Sequence, residues 1–127
     1  MRRIPDEIAV LMPELVRAAQ EVYDSWDEGE DYGGGGVCHI IADALAGVLS
    51  KHGIEAASVS AQIGEVHVFT LAKLEEGVYE VDIPPYVYET GGGYSWKKIK
   101  GVEFLPEDVV VQMVDSDPES FSNYIEG

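Results

Sequence analysis

The sequence predicts a single α+β domain: an N-terminal amphipathic helix, a buried helix carrying the only cysteine, Cys38, and an antiparallel sheet of three or more strands packed on that helix. Three observations point there. Apolar residues recur at three- and four-residue steps from Ile4 to Trp26; a nearly unbroken apolar run extends from Ile40 to Leu49; and β-rich segments separated by turn residues fill Gly53 to Ile83. A chain of 127 residues holds one domain with a real core, so residues 1–127 read as one unit.

In the N-terminal helix, Ile4, Ile8, Leu11, Leu15, Ala18, Val22 and Trp26 form one buried stripe. Pro5 suits a first helical turn, whereas Pro13 should kink the helix or split it in two. Asp24, Asp27, Glu28, Glu30 and Asp31 make a solvated end that leads through Tyr32 into Gly33–Gly36. Ile40, Ile41, Ala42, Ala44, Leu45, Ala46, Val48 and Leu49 then supply three turns of buried helix, and Lys51, His52 and Gly53 supply its stop signals.

Next, Ala57, Val59, Ala61 and Ile63 alternate with Ala56, Ser58, Ser60 and Gln62, the pattern of a strand with one apolar face, and Gly64 breaks it. Glu65 to Leu74 and Val78 to Ile83 read as an antiparallel hairpin, which Pro84 and Pro85 terminate. Its turn has either four residues, Lys73 to Glu76, or two, Glu75 and Glu76. Beyond it an aromatic segment interrupted by Gly91–Gly93 suits a flap over a site, with Tyr88, Gly92, Tyr94 and Trp96 as its candidate residues, and suits an ordinary surface loop as well. Lys97 to Phe104 is expected to be a further strand. Val109 to Val114 stays open between helix, because Pro106-Glu107-Asp108 precedes it, and strand, because it is β-branched. Asp117-Pro118-Glu119 reads as the N-cap and first turn of a short terminal helix.

The formal net charge is −16, with the acids concentrated at the two ends: residues 106–127 carry six acidic groups and no basic one. Phosphate backbones and anionic membranes should be repelled, so neither nucleic acid nor a membrane is an expected partner, while amines and basic peptides should be attracted. The same charge also serves solubility. The sequence holds no signal-peptide pattern and no apolar stretch near the roughly 20 residues that span a bilayer, so a cytoplasmic protein is expected. A single cysteine excludes an internal disulfide and a Cys-rich zinc site.

Cys38 by itself reads first as a small buried apolar residue. At a helix N-terminus, however, unpaired N–H groups and the macrodipole favour a thiolate, and preceding glycines let a ligand approach the backbone. His67 shares one side of its strand with Phe69 and Leu71, and on the return strand Glu80 and Asp82 share a side. A four-residue turn sets Asp82 directly opposite His67; a two-residue turn sets it opposite Phe69, diagonal to His67 and still within reach. Cys38, His67 and Asp82 are thus candidates for nucleophile, acid-base group and orienting carboxylate. The Cys38 backbone N–H is a candidate oxyanion donor, with Tyr32 and Gln62 as candidates for a second. His67 among Val66, Val68 and Phe69 also suits a core histidine, and Asp82 an exposed strand residue. His39 projects about 100° round the helix from Cys38 and pairs most simply with Asp43, one turn on; His52 suits a helix C-terminus. No metal or other cofactor is expected.

The order of these features, Gly-Val-Cys opening a buried helix, Gly53-Ile54-Glu55-Ala56 entering a strand, His67-Val68-Phe69 and then Tyr79-Glu80-Val81-Asp82-Ile83-Pro84, resembles the core of the transglutaminase-like superfamily of papain-fold cysteine enzymes over about residues 33–90. The resemblance implies a papain-like core with Cys38 as nucleophile, His67 as general base and acid, and Asp82 as the carboxylate. It departs from the pattern where Val68-Phe69 replaces Ala-Trp, Ile83 separates Asp82 from Pro84, and Glu55 replaces proline. The implied activity is that of a cysteine hydrolase or acyltransferase on a peptide or protein amide, with the acidic surface favouring an amine-bearing substrate. The rival expectation is a non-enzymatic acidic module, an inactive member of the fold or a nucleic-acid mimic, that engages a basic partner.

Overall fold

A computed structural model describes residues 4–25, 36–63, 65–84, 89–90, 97–98 and 101–126. In chain order these form α1 (Asp6–Ala9), α2 (Met12–Ser25), α3 (Gly36–Lys51), β1 (Glu55–Ile63), β2 (Glu65–Leu74), β3 (Gly77–Asp82), β4 (Glu89–Thr90), β5 (Lys97–Lys98), β6 (Val110–Asp115) and α4 (Phe121–Glu126). The fold is α+β, with an antiparallel four-stranded sheet in the order β1-β2-β3-β6. Among the described residues no helix is long and apolar enough to cross a membrane.

The N-terminal region is two helices rather than one. The chain breaks at Val10 and Leu11, and Pro13 sits in the first turn of α2, where its missing N–H costs no helix bond. The break resets the buried stripe: α2 buries Met12, Leu15, Ala19 and Tyr23, while Ala18 and Val22, expected within the stripe, lie half-buried on its flank. Trp26 lies outside the described residues.

Helix α3 buries Ile41, Ala42, Leu45, Val48 and Leu49 in the main core. Its end has a definite cause. Gly53 takes φ of 82°, its N–H donates to the Ser50 carbonyl at 3.0 Å, and the Ile54 N–H donates to Leu49 at 3.0 Å. This paired closure satisfies carbonyls that the helix leaves open, and glycine alone reaches such a φ without a Cβ penalty. His52 does more than face the helix end: its Nε2 lies 2.8 Å from Glu14 Oε1, and Lys51 Nζ donates to Glu14 Oε2 at 3.3 Å, which clasps α3 to α2.

The sheet has two apolar faces. Val68, Ala72, Leu74, Tyr79, Val81 and Ile83 pack beneath α2 and α3; Leu71 and Val78 pack with Phe121 of α4, alongside Ala57, Val59 and Phe69. The apolar face of β1 therefore looks toward α4, and its Ser58 looks toward α3, donating to Asp43 at 2.7 Å. The β2–β3 turn is the two-residue form, since Leu74 pairs with Gly77. A Cβ on Gly77 would collide with the Asp115 carbonyl oxygen, so the start of β3 admits only glycine.

Two of the remaining expectations resolve clearly. The segment after Pro106–Asp108 is a strand, β6, which pairs with β3. Asp117 accepts the Glu119 N–H at 3.0 Å and opens the turn that leads into α4. The strand expected over Lys97 to Phe104 is corrected: among the described residues of that segment only Lys97–Lys98 is strand, paired with Glu89–Thr90, and residues 102–105 are irregular. The reason is a side chain standing in for a strand partner. Gln20 donates from Nε2 to the Val102 carbonyl at 3.0 Å and accepts the Phe104 N–H at 2.8 Å, while Phe104 packs on Tyr23 with ring centroids 5.3 Å apart. Gly101, at φ of 77°, turns the chain into this clamp.

Bonds from His52 and Lys51 hold the Glu14 carboxyl below its ordinary range, so its folded pKa lies under the unfolded value. Such a group stabilises the fold above the unfolded pKa and loses that contribution as pH falls through the folded one. Comparison of urea midpoints should show the wild type ahead of Glu14→Gln at pH 6, with the gap closing below about pH 4. A gap unchanged from pH 6 to pH 3 would contradict the clasp.

Candidate active site

Cys38 is the third residue of α3, which begins at Gly36, so its backbone lies in the first turn, where helix N–H groups have no partner within the helix. Its side chain lies outside the described residues, as do those of His67 and Gln62. In the sheet register Gln62 pairs with Val66 and His67 with Ala61. Tyr32, and the flap candidates Tyr88, Gly92, Tyr94 and Trp96, also lie outside the described residues; the segment from 91 to 96 is bracketed by the β4–β5 pair.

The position of α3 along the sheet is set by three bonds. The Thr70 hydroxyl, fully buried, donates to the Ala42 carbonyl at 2.7 Å. Ser58 reaches Asp43, and the Ile54 N–H closes the far end on Leu49. Helix α3 consequently runs parallel to β2, with its N-terminus toward the end of the sheet where β2 begins and β3 finishes. From Ala42 back to Cys38 is about 6 Å of helix rise, and from Thr70 back to His67 about 10 Å of strand. The ends that bear Cys38, His67 and Asp82 thus lie at one end of the sheet.

Asp82 is the one member of the three whose side chain is described. It is 5% exposed, a carboxylate inside the protein at the last residue of β3, in register with Val110 of β6. The two-residue turn sets it one step beyond the Thr70–Val81 pair, opposite Phe69. The alternative of an exposed strand residue is therefore wrong for Asp82, because the strand buries it between β2 and β6. Val81 and Ile83 pack beneath α3, so alternation puts Asp82 on the other face of β3, the side of Phe69, Leu71 and α4. The structure does not bring Asp82 onto the face that receives α3.

The other histidines take structural places. His39 Nε2 lies 3.2 Å from Asp43 Oδ2, one helical turn on, and both side chains are about half exposed. Among the described residues no group of three or more His, Cys, Asp or Glu side chains is arranged to hold a metal ion. Thr70 and Gln20, which position α3 and the 102–104 segment, escaped the sequence reading. A buried threonine in an apolar strand was the only available signal for the first, and nothing marked the second.

No family model matches this chain, and no curated protein or solved structure is significantly similar to it.

Removing the Thr70 hydroxyl tests the seating of α3. Thr70→Val keeps the shape and loses the buried bond to Ala42, so unfolding in urea should show a loss of about 1 kcal/mol. Stability equal to or above that of the wild type would mean that the bond does not anchor the helix.

Proposed function

We propose that the chain is a cysteine-dependent hydrolase or acyltransferase that acts on an amide through a thioester at Cys38, as its resemblance to transglutaminase-like enzymes implies. The observation that carries the reading is the convergence at one end of the sheet: the first turn of α3, the start of β2 and the buried Asp82 at the end of β3. The family resemblance names the same three positions.

In this reaction the Cys38 thiolate attacks the amide carbonyl carbon, and a C–S bond forms. The C–N bond then breaks as the His67 imidazolium gives its proton to the departing amine. Water or a second amine, deprotonated by His67, attacks the thioester and releases the thiolate. The Cys38 N–H, in the first turn of α3, is suited to receive the developing oxyanion. Asp82 need not touch the sulfur. Its task is on the imidazole, so its place on the α4 side fits the scheme provided that His67 bridges the sheet end between the two faces.

The substrate class is a peptide or protein amide, and an excess of 24 acidic over 8 basic side chains favours one that bears amines. A cytoplasmic location accords with a single cysteine used as a nucleophile.

Alkylation by iodoacetamide at about pH 5.5 separates an activated thiolate from an ordinary thiol, because a free cysteine with pKa near 8.5 is then only about 0.1% ionised. Cys38 should react at least about tenfold faster than glutathione, His67→Ala should bring it to the rate of a free thiol, and Cys38→Ala should abolish labelling. A native Cys38 that reacts no faster than glutathione would overturn the reading.

A further inference from the structure

Towards the start of β3, with Tyr79 about 10 Å and Glu76 about 20 Å along the chain from Asp82, the α1 region and the β2–β3 turn border a cavity of about 280 Å³ lined by Pro5, Asp6, Glu7, Glu76 and Tyr79. Its charge is one-sided. Asp6, Glu7 and Glu76 bring three carboxyl groups together from sequence-distant segments, and among the described residues none of the three makes an ion pair or a side-chain hydrogen bond.

The second feature is Tyr79. It is 8% exposed and lines the cavity, yet its hydroxyl makes no hydrogen bond among the described residues. A buried phenol ordinarily finds a partner, and leaving one without costs stability that nothing else in β3 requires. Burial first, and then Glu76 and Glu7, push the phenol above its ordinary pKa, so the hydroxyl stays neutral beside two carboxyl groups and keeps its lone pairs for a donor.

We propose that this cavity is a binding site for an organic cation, an alkylammonium or guanidinium group, held by the carboxylates of Asp6, Glu7 and Glu76 with the buried Tyr79 hydroxyl as a further acceptor. Such a ligand offers several N–H donors on one positive charge, which suits acceptors spread round a cavity. A metal ion is the poorer occupant, because these carboxyl groups do not form a cluster able to hold one. The site is distinct from Cys38 and does not depend on its chemistry.

Ethylguanidinium and butylammonium are the probes, titrated into the full-length protein at low ionic strength and followed by backbone amide NMR. Saturable shifts confined to the amides of residues 6–7 and 76–79 are expected. Glu7→Gln combined with Glu76→Gln should weaken binding about tenfold or more. Glu103→Gln with Glu107→Gln, exposed positions that change the net charge equally, should leave it unaltered. Tyr79→Phe should weaken binding several-fold while keeping or raising stability in urea, since it removes an unpartnered buried hydroxyl. Equal effects from the two charge pairs, undiminished binding by Tyr79→Phe, or shifts that never saturate would each overturn the proposal. Comparing a free diamine with a short lysine- or arginine-containing peptide shows which source the site prefers, and either preference upholds it.

Discussion

Helix α3 buries its apolar length between α2 and the face of the sheet that carries Val68, Ala72, Val81 and Ile83, and the bond from Thr70 to Ala42 fixes how far along that face it sits. Burying a leucine or isoleucine side chain is worth about 1.5–3 kcal/mol, so the hydrophobic term dominates the holding of the helix. It is non-directional, however, and would tolerate sliding by a turn. The hydroxyl bond, worth about 1 kcal/mol, is the weaker interaction and the more specific one. It converts a greasy contact into a registered one, and with it the first turn of α3 falls at the end of the sheet that also holds Asp82.

The two faces of the sheet divide the labour. The α3 face holds the larger core, closed over by α2 through the Glu14 clasp; the α4 face holds a smaller cluster around Leu71, Val78 and Phe121. Asp82 belongs to the smaller side and is nonetheless buried, an expensive position for a carboxylate unless polar groups satisfy it. Three residues earlier in β3, Tyr79 is buried on the larger side next to an acidic cavity. One short strand thereby carries two buried polar residues, Tyr79 and Asp82, with only half-buried Glu80 and apolar Val81 between them.

Element types were legible wherever a local signal was strong. The periodicity of α3, the Gly53 stop, the Asp117 cap, the His39–Asp43 pair and the splitting power of Pro13 are all properties of neighbouring residues, and each appears as the sequence implies. The length of the β2–β3 turn was not legible, because Lys73-Leu74-Glu75-Glu76 can close either way until tertiary packing buries Leu74. The strand expected after Lys98 failed for a nonlocal reason: Gln20, more than 80 residues earlier, takes the backbone bonds that a strand would have made. Alternation alone also could not say which face of the sheet would receive α3, since β2 and β3 are apolar on both. That is why Asp82 could be named from the sequence as a candidate while its side of the sheet could not. The acidic cavity was invisible for a similar reason, as Asp6, Glu7 and Glu76 meet only through the docking of α1 on the β2–β3 turn.

The proposed triad requires an imidazole at the start of β2 to join a thiol on one face of the sheet to a carboxylate on the other. A crystal structure of the protein with its cysteine reduced measures this directly, through the distances from Cys38 Sγ to the nearer ring nitrogen of His67 and from the second nitrogen to the Asp82 carboxylate. Both should fall near hydrogen-bond reach, roughly 2.6–3.2 Å and somewhat longer without substrate. A His67 ring paired with Asp82 on the α4 side, at more than about twice that distance from Cys38 Sγ, would rule out the proposed triad.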